Sequence, residues 1–107
     1  MTVTEISPLE LKERLSGTTL PVLLDVREPW ELDIMRLADI INIPMNDIGK
    51  RVPELDPARE VVVICRSGAR SYSVAQWLAA QGFQRVVNLA GGMLAWRAQV
   101  DPSLPTY

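Results

Sequence analysis

The stretch VVVICRSGARSYSVAQWLAAQG, Val61 to Gly82, restricts the fold more than any other part of this chain. Four β-branched apolar residues run straight into a cysteine. A short Arg/Ser/Gly loop follows. Then the spacing turns helical: Val74, Trp77 and Leu78 fall on one face, and Gly82 is a stop signal. The stretch reads as buried strand, tight loop and helix start. A strand that is apolar throughout is covered on both faces, as in parallel sheets flanked by helices.

This reading puts Cys65 at the carboxyl end of a strand, facing a helix N-terminus. Open α/β sheets place their ligands there. Successive backbone N–H groups, here those of Ser67, Gly68, Ala69 and Arg70, favour negative charge in such a loop. Arg66 and Arg70 add two positive charges. The setting favours the thiolate, which is the nucleophilic form of cysteine. A lone cysteine can also be a small buried hydrophobe that ends a strand. The RSGARS loop behind it argues for chemistry.

Composition narrows the kind of chemistry. The 107 residues contain no histidine and one cysteine. That excludes a Cys-His or Ser-His pair, an intrachain disulfide and a structural zinc site. No metal or other cofactor is expected. Activation of Cys65 must come from electrostatics and backbone donors. Nine Arg and two Lys stand against thirteen acids, for a net charge of −2, and no basic block suggests nucleic acid. No apolar run approaches the roughly 18 residues of a membrane span. The start, Met1-Thr2-Val3-Thr4-Glu5, lacks the basic and apolar regions of a signal peptide, so a cytoplasmic protein is expected.

A chain of this length implies one domain, residues 1–107, with a core that needs no staples. Val3 to Ile6 alternates as a short strand. Ser7-Pro8 reads as an N-cap and first helical residue, with Glu10 in the first turn and Leu9, Leu11 and Leu15 marking a helix that ends near Ser16-Gly17. Pro21 to Val26 is a strand, Pro29 to Arg36 a short helix, and Ile40 to Ile43 a strand closed by Pro44. Met45 to Leu55 has room for one helical turn and a loop, with Met35 and Met45 as core fillers. Phe83 to Leu89 is a fifth strand. Ala90-Gly91-Gly92 reads as a turn into a last helix carrying Met93, Leu94 and Trp96. Trp30, Trp77 and Trp96 are core or rim residues. Asp101 to Tyr107 is a surface strap or disordered. Strands alternating with helices indicate an α/β fold with one parallel sheet covered on both faces.

Cys65-Arg66-Ser67-Gly68-Ala69-Arg70-Ser71 resembles the active-site loop of the rhodanese family, the thiosulfate and persulfide sulfurtransferases. Leu24-Asp25-Val26-Arg27-Glu28, Asn42-Ile43-Pro44, and Leu89-Ala90-Gly91-Gly92-Met93 with Trp96 match that family in the same order. The resemblance implies the rhodanese-like fold, a five-stranded parallel sheet with helices on both faces. It also implies sulfur transfer through a Cys65 persulfide, from thiosulfate or another sulfane donor to cyanide or a thiol. Arg66 and Arg70 are expected to bind the small anionic donor, along with the loop from Ser67 to Ala69. Thiol or persulfide-carrying proteins are possible partners. Asp25 and Arg27, with Glu28 and Ser71, take supporting roles; a surface ion pair at a solvated strand end is the plainer alternative for Asp25 and Arg27. One stretch departs from the family. Where a Gly-His-Ile-x-Gly-Ala pattern is usual, this chain has Met35-Arg36-Leu37-Ala38-Asp39-Ile40, and the missing glycines leave the local backbone conformation open. A cysteine phosphatase or arsenate reductase uses a similar loop, but phosphatase-like loops place five residues between Cys and Arg and here there are four. A non-catalytic rhodanese-like binding module is the third reading; such modules commonly lack the cysteine.

Overall fold

The computed structural model describes residues 3–107. Strands β1 (Thr4–Ile6), β2 (Val22–Asp25), β3 (Ile41–Asn42), β4 (Val61–Ile64) and β5 (Val86–Leu89) form one sheet in the order β1-β5-β4-β2-β3. Every pairing is parallel. Helices α1 (Pro8–Leu15), α2 (Pro29–Ile34), α3 (Ile48–Arg51), α4 (Ala69–Ala80) and α5 (Gly92–Gln99) connect the strands, with two short 3₁₀ turns flanking α3. The expected five-stranded parallel sheet is therefore present. No helix among the described residues is long and apolar enough to cross a membrane.

The central strand β4 shows why an unbroken apolar run is needed. Val61, Val63 and Cys65 face one core with Val74, Leu78 and Ile48; Val62 and Ile64 face a second core with Leu11, Met93 and Trp96. Successive residues point to opposite faces, so both sets must be apolar. Helices α3 and α4 cover the first face, α1 and α5 the second. Trp77 does not join the buried face predicted for α4. It is exposed, while Val74, Ala75 and Leu78 make the contact. Leu9 likewise lies outside the core, and of the three leucines assigned to α1 only Leu11 is fully buried.

Local signals explain the helix starts. Ser7 Oγ accepts the Glu10 N–H at 3.1 Å, and the Glu10 carboxylate accepts the Ser7 N–H at 3.0 Å. This reciprocal cap goes beyond the electrostatic role expected of Glu10. In α2, Pro29 occupies the first position and the Glu31 carboxylate accepts the Glu28 N–H at 2.8 Å.

The departing stretch keeps its shape by another route. Asp39 adopts a left-handed conformation, with φ of 59°, at the place where the resembled pattern carries its second glycine. Aspartate is among the few residues other than glycine that tolerate this region. Arg36, at the histidine position, is exposed, whereas Met35 and Leu37 pack into the second core.

Register levels the carboxyl ends of the strands. Asp25 pairs with Ile64, Val63 with Asn88 and Ile6 with Leu89. The chain passes outward from β2 to β3, then returns to β4 and continues to β5 on the other side. The reversal brings Asp25, Arg27 and Cys65 to the carboxyl ends of the neighbouring strands β2 and β4, the side on which open α/β sheets bind ligands.

Candidate active site

Cys65 leaves β4 and has no exposed surface. Its Sγ accepts the Gly68 N–H at 3.1 Å and lies 3.2 Å from the Ser71 hydroxyl. Gly68, at φ of 100°, turns the chain so that its N–H looks back at the sulfur as α4 begins. These contacts are local, three and six residues along the chain, and come directly from the loop sequence.

The loop rests on the start of α5. Met93 N–H donates to the Cys65 carbonyl at 2.9 Å and Leu94 N–H to the Arg66 carbonyl at 3.0 Å. Gly92 makes this approach possible. A Cβ there would stand 2.5 Å from the Cys65 carbonyl oxygen and 2.6 Å from the Arg66 carbonyl. The Gly91-Gly92 pair is thus more than the plain turn expected of it. It lets one helix start support the backbone of another loop.

Asp25 and Arg27 are fully buried and joined by three side-chain hydrogen bonds: Arg27 Nε to Asp25 Oδ1 at 3.0 Å and to Oδ2 at 3.1 Å, and Nη2 to Oδ2 at 2.8 Å. Arg27 also donates to the Met35 carbonyl at 2.8 Å. The solvated-pair alternative is ruled out. A buried pair this well bonded fixes geometry, and removing one partner leaves a buried charge uncompensated. Asn42 ties the edge strand to the same turn, its amide donating to the carbonyls of Asp25 and Arg27 at 2.9 Å each. Glu28 is exposed and meets this network through its backbone, its N–H donating to the Glu31 carboxylate and its carbonyl accepting the Glu31 N–H at 3.0 Å.

Three contributors were not anticipated. Glu31, nearly buried, takes the Arg70 guanidinium in a two-pronged contact at 2.8 and 2.7 Å. The Arg70 hydrogen bonds hold its carboxyl down at about 2, against the opposing effect of burial. Tyr107 donates its hydroxyl to Glu31 at 2.7 Å and accepts from Arg27 at 3.0 Å. Burial raises the ionisation point of that hydroxyl. The Arg66 guanidinium lies 4.9 Å from the Tyr107 ring centre and donates through Nε to the Tyr107 main-chain oxygen at 2.9 Å. The tail is therefore a strap, and it reaches the loop. The third is Asn88 on β5, whose amide donates to the Gly68 carbonyl at 3.2 Å.

The expected site residues are thus brought together in distinct ways. Gly68 and Ser71 touch the sulfur. Arg70 lies in the first turn of α4 and is paired with Glu31; Arg66 is held by Tyr107. Ser67 and Ala69 are exposed on the loop surface. A surface groove of about 650 Å³ lies elsewhere, between β1, α1 and Glu60, and contains none of these residues. The bonded sulfur, rather than that groove, is the candidate for chemistry.

A family model described as a rhodanese-like domain matches residues 7–99, a span that contains all four motifs. The chain is 43% identical over 94 residues to a protein of Allochromatium vinosum named sulfurtransferase, a match covering 88% of each chain. It is also 43% identical over 89 residues to the chloroplastic rhodanese-like/PpiC domain-containing protein 12 of Arabidopsis thaliana, where it spans only 30% of the relative's length. Among solved structures, a rhodanese-like domain protein from Staphylococcus aureus aligns with a TM-score of 0.85 at 28% identity, covering 98% of this chain and 99% of that one.

Proposed function

The chain belongs to the rhodanese-like family, and from that premise we propose that it is a sulfurtransferase carrying sulfane sulfur on Cys65. The Cys65 thiolate attacks the outer sulfur of the donor. A Cys–S–S bond forms, the donor's own S–S bond breaks, and its electron pair leaves with the departing group; from thiosulfate that group is sulfite. A thiophilic acceptor, cyanide or a thiol, then attacks the outer sulfur and returns the thiolate. Covalent transfer of this kind runs in two half-reactions and predicts ping-pong kinetics. No cofactor is required.

The observation that carries the reading is the sulfur's own bonding: Sγ receives the Gly68 N–H and faces the Ser71 hydroxyl at a strand-to-helix junction. Donors already aimed at a sulfur stabilise negative charge there without reorganisation. The N–H groups of Ser67, Gly68, Ala69 and Arg70 cradle the charge of the outer sulfur. Arg70 supplies positive charge at the helix start. An anionic donor such as thiosulfate takes the place that the Tyr107 main-chain oxygen holds on Arg66. A persulfide on a small thiol or on a protein fits the same chemistry as donor or acceptor.

The test is mass spectrometry after incubation with thiosulfate. One added sulfur, about 32 Da, is expected on Cys65, and cyanide should remove it. No adduct at saturating donor would overturn the persulfide mechanism for this chain.

A further inference from the structure

We infer that Asn88 is a positioning residue for the sulfur site: by filling the Gly68 carbonyl, it leaves the Ser71 proton to the Cys65 sulfur. The inference rests on the reading of Cys65 as the nucleophile.

Strand β5 lies between β1 and β4, and Val86, Val87 and Leu89 make it apolar except at Asn88. Asn88 is 2% exposed. Val86 packs on the α4 side and Val87 and Leu89 on the other, so alternation places Asn88 towards α4. Its Nδ2 meets two acceptors, the Gly68 carbonyl at 3.2 Å and the Glu5 carboxylate at 3.2 and 3.4 Å. Exchanging nitrogen and oxygen would set a carbonyl against both, so the amide's orientation is fixed. Its Oδ1 is buried without a partner. A buried orphan acceptor in a central strand is a local cost that calls for a functional reason.

The donor end supplies that reason. A carbonyl oxygen has two lone pairs. Those of Gly68 receive Asn88 Nδ2 and, at 3.1 Å, the Tyr72 N–H. The Ser71 hydroxyl has one proton and two acceptors within reach, Cys65 Sγ at 3.2 Å and the Gly68 carbonyl at 3.3 Å. Bonds of the O–H···O type usually span about 2.5–3.0 Å, so the second contact is long. Sulfur is the larger atom, and 3.2 Å to it is close. With Gly68 already satisfied, the proton stays on the sulfur. Without Asn88, Ser71 becomes the replacement donor to Gly68 and Sγ keeps only the Gly68 N–H.

The experiment is a double-mutant cycle read by iodoacetamide alkylation of Cys65 across pH. The charged groups around the cluster, Arg66 and Arg70 from the loop and α4, Glu31 from α2, Asp25 and Arg27 at the end of β2, and Glu5 from β1, stay unchanged in every variant. Asn88→Leu keeps the number and branching of side-chain heavy atoms, though not their volume, and removes both the donor and the orphan acceptor. It is expected to move the alkylation midpoint up by about one pH unit. Ser71→Ala should give the same shift, and the double variant no more than either alone. Access changes the plateau rate and the proton changes the midpoint, so the two effects separate. Asn88→Val, apolar, uncharged and suited to a strand, serves if the leucine variant does not fold; its midpoint should rise as far. An unmoved midpoint in the folded Asn88 variant, or shifts that add in the double variant, would overturn the inference. Because alkylation reads the thiol whether or not sulfur is transferred, failure of this cycle is distinct from failure of the proposed function.

Discussion

Helices α4 and α5 both begin at a glycine in the left-handed conformation, Gly68 at φ of 100° and Gly91 at φ of 73°, and neither has a side-chain cap. Both follow a buried four-residue strand, and β4 and β5 are neighbours. Their N-termini nevertheless meet different partners. At α5, the N–H groups of Met93 and Leu94 are bonded to the carbonyls of Cys65 and Arg66. At α4, the Gly68 N–H points at a sulfur. One junction is scaffold and the other is the candidate reactive loop it supports. A helix start offers N–H groups and positive potential wherever it occurs. What lies in front of it decides whether they bind a reactant or fix a neighbour.

The comparison breaks first at the sulfur. Cys65→Ser should abolish sulfur transfer to the background rate and leave the fold intact, because no second thiol exists in the sequence. Retained thiocyanate production from thiosulfate and cyanide would refute the contrast between a reactive and a supporting junction.

The supporting junction should fail differently. Gly92→Ala places a methyl carbon 2.5 Å from the Cys65 carbonyl oxygen, in a backbone conformation with φ of 61°. The combined strain and crowding should cost roughly 2–4 kcal/mol of stability, with activity falling as the loop shifts. Chemical denaturation measures the loss. A variant as stable as the parent would show that the α5 start does not fix the loop.

A smaller effect is expected from Arg70→Lys. Lysine keeps the charge at the α4 start and loses the planar fork that grips Glu31 and that the proposed function assigns to an anionic donor. The KM for thiosulfate should rise about tenfold, equivalent to about 1.4 kcal/mol, with less change in kcat. Steady-state kinetics with varied thiosulfate decides it, and an unchanged KM would remove Arg70 from donor binding.

The smallest effect concerns pH. Glu31 is held at about 2 in the folded protein against 4.5 for the free group. A lowered folded value means that its stabilisation is complete above pH 4.5 and is lost as pH falls towards 2. Glu31→Gln should therefore melt below the parent by a constant margin above pH 4.5, and the gap should close on acidification. Melting curves at stepped pH test this, and a gap unchanged down to pH 2 would contradict it.

What the sequence made legible follows chain distance. The strand–loop–helix at Cys65, the cap at Ser7 and the proline at the start of α2 depend on residues a few positions apart. They could be read directly. The pairing of Asp25 with Arg27 spans two residues, and its structural role was accessible, although its complete burial depends on Met35 and Tyr107. Glu31 meets Arg70 across 39 positions and Tyr107 across 76. No local pattern encodes those meetings; they exist because parallel register brings the carboxyl ends of separate strands to one edge. Asn88 did leave a signal, a single amide in Val86-Val87-Asn88-Leu89, and its partner Gly68 appears only when β5 is set beside β4. Trp77 sits at the rim beside Val74 rather than in the core for a related reason. Helical spacing identifies a shared face, but not how far the neighbouring α3 segment extends to cover it.

Cys65 has no surface open to solvent. Oxidation to sulfenic acid follows exposure as well as thiolate character. Enclosure therefore separates the thiol from dissolved peroxide, which meets it only when the structure opens, as any sulfur donor must. The separation matters because the sequence holds no second cysteine to rescue a sulfenate as a disulfide. Peroxide should inactivate the folded protein much more slowly than it modifies the urea-unfolded chain. The lifetime of the catalyst in an oxidising cell is then set by how often its walls part.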